Sequence, residues 1–301
     1  WRRWTPDPMH SLWKPEPEPS LLPVAEAAAA ASFREAVWGD FGQLLRLNRS
    51  LLRLELSDCS LDAEGMAAIG SGLADNHTLL ELKLVECGPA RGCCALFDGL
   101  RRNRMLMSLE LHGDWSGQGD SMACVGAALA ENHTLEQLFM QQCPLSDQAA
   151  EALASALAVN TGLRVLECTR FGDEILPLFG PAVARNATLT RLTLCDLPSP
   201  FPSPADAGAS RFDSAGLDQC WSQNSVLCSL RLHRVAFHSR LPSETLDPVF
   251  QGLRSNTCLT ELAIQRHEVL QGGEAAKLLG ELLRGNRCLR TLELTDCGNV
   301  S

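Results

Sequence analysis

Apolar residues recur along this chain in a register set by asparagine. Counting from Asn48, Asn76, Asn103, Asn132, Asn160, Asn186, Asn224, Asn256 and Asn286, leucine stands three and six residues on in every copy, as at Leu79 and Leu82. Position eight is Leu56, Leu84, Leu111, Met140, Cys168, Leu194, Leu232, Ile264 and Leu294. The alternation from position six to position eight predicts one short strand per unit. Ahead of each asparagine the period changes. Apolar pairs stand seven and three residues before it, among them Ile69/Leu73, Leu96/Leu100, Leu153/Leu157 and Leu279/Leu283. An i, i+4 pair repeated in this way places one apolar stripe on a helix. The asparagine then falls where the helix ends, and its tolerance of the left-handed conformation is the expected reason for its presence.

Each unit therefore reads as helix, turn and strand, with spacings of 28, 27, 29, 28, 26, 38, 32 and 30 residues. No such unit can bury its apolar face alone, so neighbours must stack and share one core. The period and leucine spacing resemble the leucine-rich repeat, in particular its ribonuclease-inhibitor-like class, over roughly residues 34 to 301. The resemblance implies an α/β fold: a right-handed curved solenoid (horseshoe) of about nine strand-helix repeats, with a parallel inner sheet and outer helices. Eleven residues after the asparagine stand Cys59, Cys87, Cys143 and Cys297. This class often places a small side chain there, packed or bonded in the turn that leaves the strand.

Three domain-level segments are expected. Residues 1–23 form a proline- and tryptophan-rich arm, residues 24–47 a capping helix, and residues 48–301 the solenoid, with a proline-rich insert at about 197–213 inside the 38-residue unit. Trp1, Trp4 and Trp13 give the arm large contact areas on an extended backbone, which suits attachment to another protein or to the solenoid. The chain begins at Trp1 rather than Met and shows no signal-peptide pattern, as expected of a processed or partial chain.

Composition narrows the function. Hydrophobic residues make up 45% of the chain, enough for a large core, and no run of about eighteen apolar residues predicts a membrane span. A net charge of −10 argues against nucleic acid and anionic lipid as partners. The cysteine count of thirteen is odd and several thiols fall at equivalent repeat positions, which suits reduced, intracellular cysteines.

Catalytic signatures are missing. The sequence carries no Walker-type loop, dinucleotide glycine fingerprint, zinc-spaced cysteine pairs or nucleophile elbow, so neither an enzyme nor a cofactor, metal or small-molecule substrate is expected. The run Cys87–Cys94 is the densest thiol cluster, but Cys87 is a turn residue and Cys93 and Cys94 open a helix. Cys195 and His233 fall in neighbouring strands, about 5 Å apart, without a third orienting group. Four of five N-x-S/T sequons, at Asn48, Asn76, Asn132 and Asn186, coincide with the repeat turn, and glycosylation is not expected there.

Binding is expected on the inner sheet, where positions seven, nine and ten point outward from the core. The candidates are Glu55, Asp58, Glu86 and Glu110 at one end, Phe139 and Arg170 in the middle, and Arg231, His233, Arg234 and Arg266 at the other. Together they predict a face running from acidic to basic that orients a protein partner. The family resemblance implies a noncatalytic interaction scaffold in a multiprotein complex, cytoplasmic, with cytoskeletal or ciliary assemblies as the finer placement. Its alternatives are GTPase activation, as in Ran GTPase-activating proteins, and the sensor half of an innate-immune-type receptor.

Overall fold

The computed structural model describes residues 37–87, 92–113, 115, 122–171, 175–197, 216–233, 243–265 and 273–295. Nine strands alternate with helices along these residues. Helix α1, residues 37–47, precedes β1 (Arg53–Ser57), α2 (Ala63–Ala74), β2 (Glu81–Val85), α3 (Cys93–Arg102), β3 (Ser108–His112), α4 (Cys124–Glu131) and β4 (Gln137–Leu145). There follow α5 (Asp147–Leu157), β5 (Val165–Phe171), α6 (Ile175–Arg185), β6 (Arg191–Leu197), α7 (Leu217–Gln223), β7 (Ser229–His233), α8 (Ser243–Ser255), β8 (Glu261–Gln265), α9 (Gly273–Gly285) and β9 (Thr291–Thr295). The strands form one parallel sheet in strict chain order from β1 to β9.

Register follows the leucines. Leu54, Leu82, Leu109, Leu138, Leu166, Leu192, Leu230, Leu262 and Leu292 are Cα partners in sequence, one per strand. From Leu82 to Leu262 these side chains are buried, as are the position-eight residues from Leu84 to Ile264. Helical pairs such as Ile69/Leu73, Leu96/Leu100 and Leu153/Leu157 close the same core from the other side. At about 1.5–3 kcal/mol for each fully buried leucine, this continuous seam is the main cohesive force between repeats. Strands spaced by about 4.8 Å on the inside and helices that need about 8–10 Å on the outside bend the stack into a curved solenoid.

Helix–helix distance is set by glycine where the bend would otherwise gape. A Cβ on Gly70 of α2 would lie 2.1 Å from the carbonyl oxygen of Ala95, and one on Gly99 of α3 would lie 2.1 Å from that of Gly70. The two helices therefore touch backbone to backbone. Side-chain caps start α2 and α5: Asp62 accepts from the N–H of Gly65, and Ser146 from that of Ala149. The insertion between β6 and α7 does not disturb the sheet, since Leu192 still pairs with Leu230. Residues 1–36, which hold the expected arm, and 198–215, which hold most of the expected insert, lie outside the described residues.

The repeat asparagine works differently from the sequence expectation. Asn103, Asn132 and Asn224 have φ of −66°, −92° and −64° with extended ψ, and none of the described repeat asparagines is left-handed. Its side-chain amide is what the site requires. Asn132 Oδ1 accepts from the N–H groups of Thr134 and Leu135 at 3.0 and 2.9 Å. Its Nδ2 donates to the carbonyls of Leu100 and Asn103, in the preceding repeat, at 2.7 and 3.0 Å. The same pair of donations recurs at Asn103, Asn160, Asn186, Asn224, Asn256 and Asn286. An asparagine ladder thus threads the buried turns and satisfies backbone groups that no helix or strand pairs.

Candidate interaction surface

Alternation divides each strand between two environments. In β2 and β3 positions six and eight are buried while positions five, seven and nine remain partly exposed on the inner face. Pairing then aligns the position-seven side chains of successive repeats into a row: Glu55, Lys83, Glu110, Phe139, Glu167, Thr193, Arg231, Ala263 and Glu293. Position nine adds Ser57, Val85 and His112 at one end and Cys195, His233 and Gln265 at the other. Cys195 and His233 are Cα partners, as their positions in the repeat predict, and His112 lies four strands from His233.

Position ten turns the chain off the sheet. Asp58, Glu86 and Gln142 take the left-handed conformation, with φ of 53°, 48° and 56°, and Gly113 fills the equivalent place with φ of 106°. This conformation costs a residue with a Cβ roughly 1–2 kcal/mol. It leaves the carboxylates of Asp58 and Glu86 exposed at the strand ends. Behind them, Cys87 Sγ donates to the carbonyl of Leu56 and Cys143 Sγ to that of Leu111, both at 3.3 Å. These thiols join adjacent repeats, as a small side chain in the turn is expected to do. Burial pushes the Cys87 thiol above its ordinary pKa, against the hydrogen bonding of Cys59 and Val85. The twelve cysteines of the described residues are all thiols.

Charges on this face are paired across strands. Arg53 Nε lies 3.0 Å from Glu81 Oε2, and Lys83 Nζ 3.3 Å from Glu110 Oε1. The same carboxylate oxygen of Glu110 meets His112 Nε2 at 2.5 Å. Gln141 Nε2 donates to Glu167 Oε1 at 2.7 Å, and Arg231 is paired with Glu261. Burial opposes the charge of Glu261, but hydrogen bonding from Ser229 and Arg231 and the positive charges of Arg231 and Arg191 outweigh it and lower its pKa. Among the described residues this face carries ion pairs alongside carboxylates such as Glu55 and Glu167 that bond to neutral side chains, and the expected run from acidic to basic rests at its basic end on Arg234 and Arg266, which lie outside the described residues. Position five adds to the face: Arg53, Glu81, Arg191 and Glu261 share it, and a strand taken to begin at position six leaves them out.

Two features interrupt the row of charged side chains. Phe139, partly exposed, stands in register between Glu110 and Glu167. Beside it the pairing of β4 with β5 slips between Met140 and Pro144, so that Gln141 and Gln142 bulge from the sheet. Aromatic side chains surrounded by satisfied polar groups are the usual energetic centres of protein interfaces. Arg170 pairs through its backbone with Asp196 of β6, in strands that run two residues longer than β1–β3. Of the remaining candidates, Trp1, Trp4, Trp13, Arg234 and Arg266 lie outside the described residues.

A stacked parallel sheet with an exposed inner face and a leucine seam behind it defines a repeat solenoid. Comparison with known proteins places it more closely. A family model described as Leucine Rich repeat matches residues 47–70. The chain is 27% identical over 269 residues to the NACHT, LRR and PYD domains-containing protein 12 of Mus musculus, covering 87% of this chain and 21% of that protein. It is 25% identical over 258 residues to the ribonuclease inhibitor of Sus scrofa, covering 84% of this chain and 53% of the inhibitor. One chain of the crystal structure of the Rad7 and Elc1 complex in yeast shares the fold, with a TM-score of 0.50, 17% identity, and coverage of 91% of this chain and 71% of that one. The stacked strand–helix units of this chain are leucine-rich repeats of the ribonuclease-inhibitor-like class. It spans about a fifth of the length of the first relative and about half of the second.

Proposed function

We propose that this chain recognises another protein through the inner face of its sheet, centred on Phe139 and the bulge at Gln141 and Gln142, and catalyses no reaction. The observation that supports this most is the position of Phe139, an aromatic side chain kept at the surface in the middle of a row in which Lys83 and Arg231 already hold carboxylate partners. A charge that keeps its counterion costs less to bury than an isolated one. The similarity to NACHT, LRR and PYD domains-containing proteins favours a role as the recognition part of a larger receptor, the sensor alternative implied by the repeat class. A cytoskeletal assembly is a second reading. It is supported by 32% identity over 177 residues to the capping protein, Arp2/3 and myosin-I linker protein 2 of Mus musculus.

Affinity capture from cell lysate tests the surface. The native chain should retain a defined partner that Phe139→Ala and Lys83→Glu/Arg231→Glu variants lose while keeping their helical circular dichroism. Undiminished capture by all these variants would remove the inner face from the proposal.

A further inference from the structure

Stacking of helices α3 and α4 brings together sulfur atoms that are far apart in sequence. Cys93 and Cys94 are the first two residues of α3, and Cys124 is the first residue of α4. Their three Sγ atoms all lie within 4.8 Å of one another. A fourth sulfur joins them: Met122 Sδ is 3.9 Å from Cys93 Sγ. Cys93 and Met122 are buried, Cys124 is half-buried and Cys94 is exposed, so the cluster has a sealed floor and an open side. Gly92 sets this arrangement. Its left-handed φ of 85° turns the chain into α3, and a Cβ there would lie 3.0 Å from Ala63 Cα.

We propose that Cys93, Cys94 and Cys124, with the Met122 thioether as a weak fourth donor, form a binding site for a single cuprous ion. Size permits it. Sulfurs around a thiolate-bound metal with bonds of about 2.3 Å stand about 4 Å apart, so small side-chain rotations close the observed spacing. Ligand chemistry selects the ion. Among the described residues the cluster holds no imidazole or carboxylate, and thiolates with a thioether form the soft set that favours Cu(I), while structural zinc takes four cysteine or histidine ligands. Both helices present their N-terminal, positive ends to the cluster, which offsets the negative charge of the thiolates. A thiol gives up its proton when it binds a metal, so loading releases protons and affinity rises with pH.

The test is an anaerobic titration of the purified, reduced chain with Cu(I) held by a competing chromophoric chelator, followed by copper-edge X-ray absorption. One tightly held copper per chain with a sulfur-only shell is expected, with affinity increasing from pH 6 to pH 8. Cys94→Ser, at the exposed ligand, should weaken binding at least tenfold, and Cys94→Ser/Cys124→Ser at least hundredfold, while Cys228→Ser leaves it unchanged. Failure to compete with the chelator would overturn the site, as would equal binding by the double variant or a shell containing nitrogen or oxygen. Preferential uptake of zinc by the same thiols would overturn the choice of ion.

Discussion

Asn132 donates through its side-chain amide to the backbone carbonyl of Asn103, the same residue one repeat earlier, at 3.0 Å. This bond crosses from unit to unit, and Asn160 makes the equivalent one back to Asn132 at 2.8 Å. Substituting Asn132 by Ala removes the partner of the Leu100 carbonyl and of the Thr134 and Leu135 N–H groups in the buried turn, while the Asn103 carbonyl keeps Arg104 Nη1 at 3.2 Å. At about 1–3 kcal/mol for an unsatisfied buried group, with partial relaxation, the loss should be about 3 kcal/mol of unfolding free energy in urea. Asn48 makes its side-chain bonds only within its own turn, to Ser50 and Leu51, and is half-buried. Asn48→Ala should cost less than about 1.5 kcal/mol.

Close helix packing gives a second contrast. Gly70→Ala places a methyl 2.1 Å from the carbonyl oxygen of Ala95, and the backbones of α2 and α3 must part to admit it. Destabilisation of about 2 kcal/mol or more is expected, since overpacking usually costs 1–3. Gly280 lies within α9 with nothing within 4 Å of its added Cβ. Gly280→Ala should stabilise the chain by up to about 1 kcal/mol through helix propensity. Thermal unfolding of the two variants should shift in opposite directions.

Acid sensitivity follows from Glu261. Its pKa is lowered in the folded chain, so it contributes stability above its ordinary value of 4.5 and loses that contribution as pH falls through the lowered value. Glu261→Gln should therefore flatten the decline of stability below pH 4.5 and leave a small deficit at pH 7. Because the side chains of Arg231 and Glu261 retain 40% and 26% exposure, solvent screening limits that deficit to less than about 1 kcal/mol. Urea midpoints at pH 3, 4 and 7 for both proteins decide it.

Much of the fold was legible because leucine spacing reports strand and helix periods directly. Leu54 to Leu292 define the register that the sheet adopts, and pairs such as Leu96/Leu100 mark the helical core face. The asparagine was legible in position but not in role. Its abundance fits a helix end, while its bonds reach carbonyls about thirty residues away, such as Leu100 from Asn132, which local pattern does not contain. The inner face was read from too narrow a strand. Positions seven and nine named Glu110, Phe139 and Arg231, but position five supplies Glu261, which neutralises the arginine. Cys124 joins Cys93 and Cys94 only through stacking, so neither repeat reveals the cluster alone.

Photocrosslinking tests the recognition surface most directly. A photoreactive amino acid would be placed at Phe139 on the inner sheet, and separately at Lys277 on the exposed side of α9. After irradiation in cells, covalent capture of one defined protein from position 139, and none of it from position 277, is the predicted result. Capture of that protein from position 277 with none from position 139 would contradict recognition by the inner sheet.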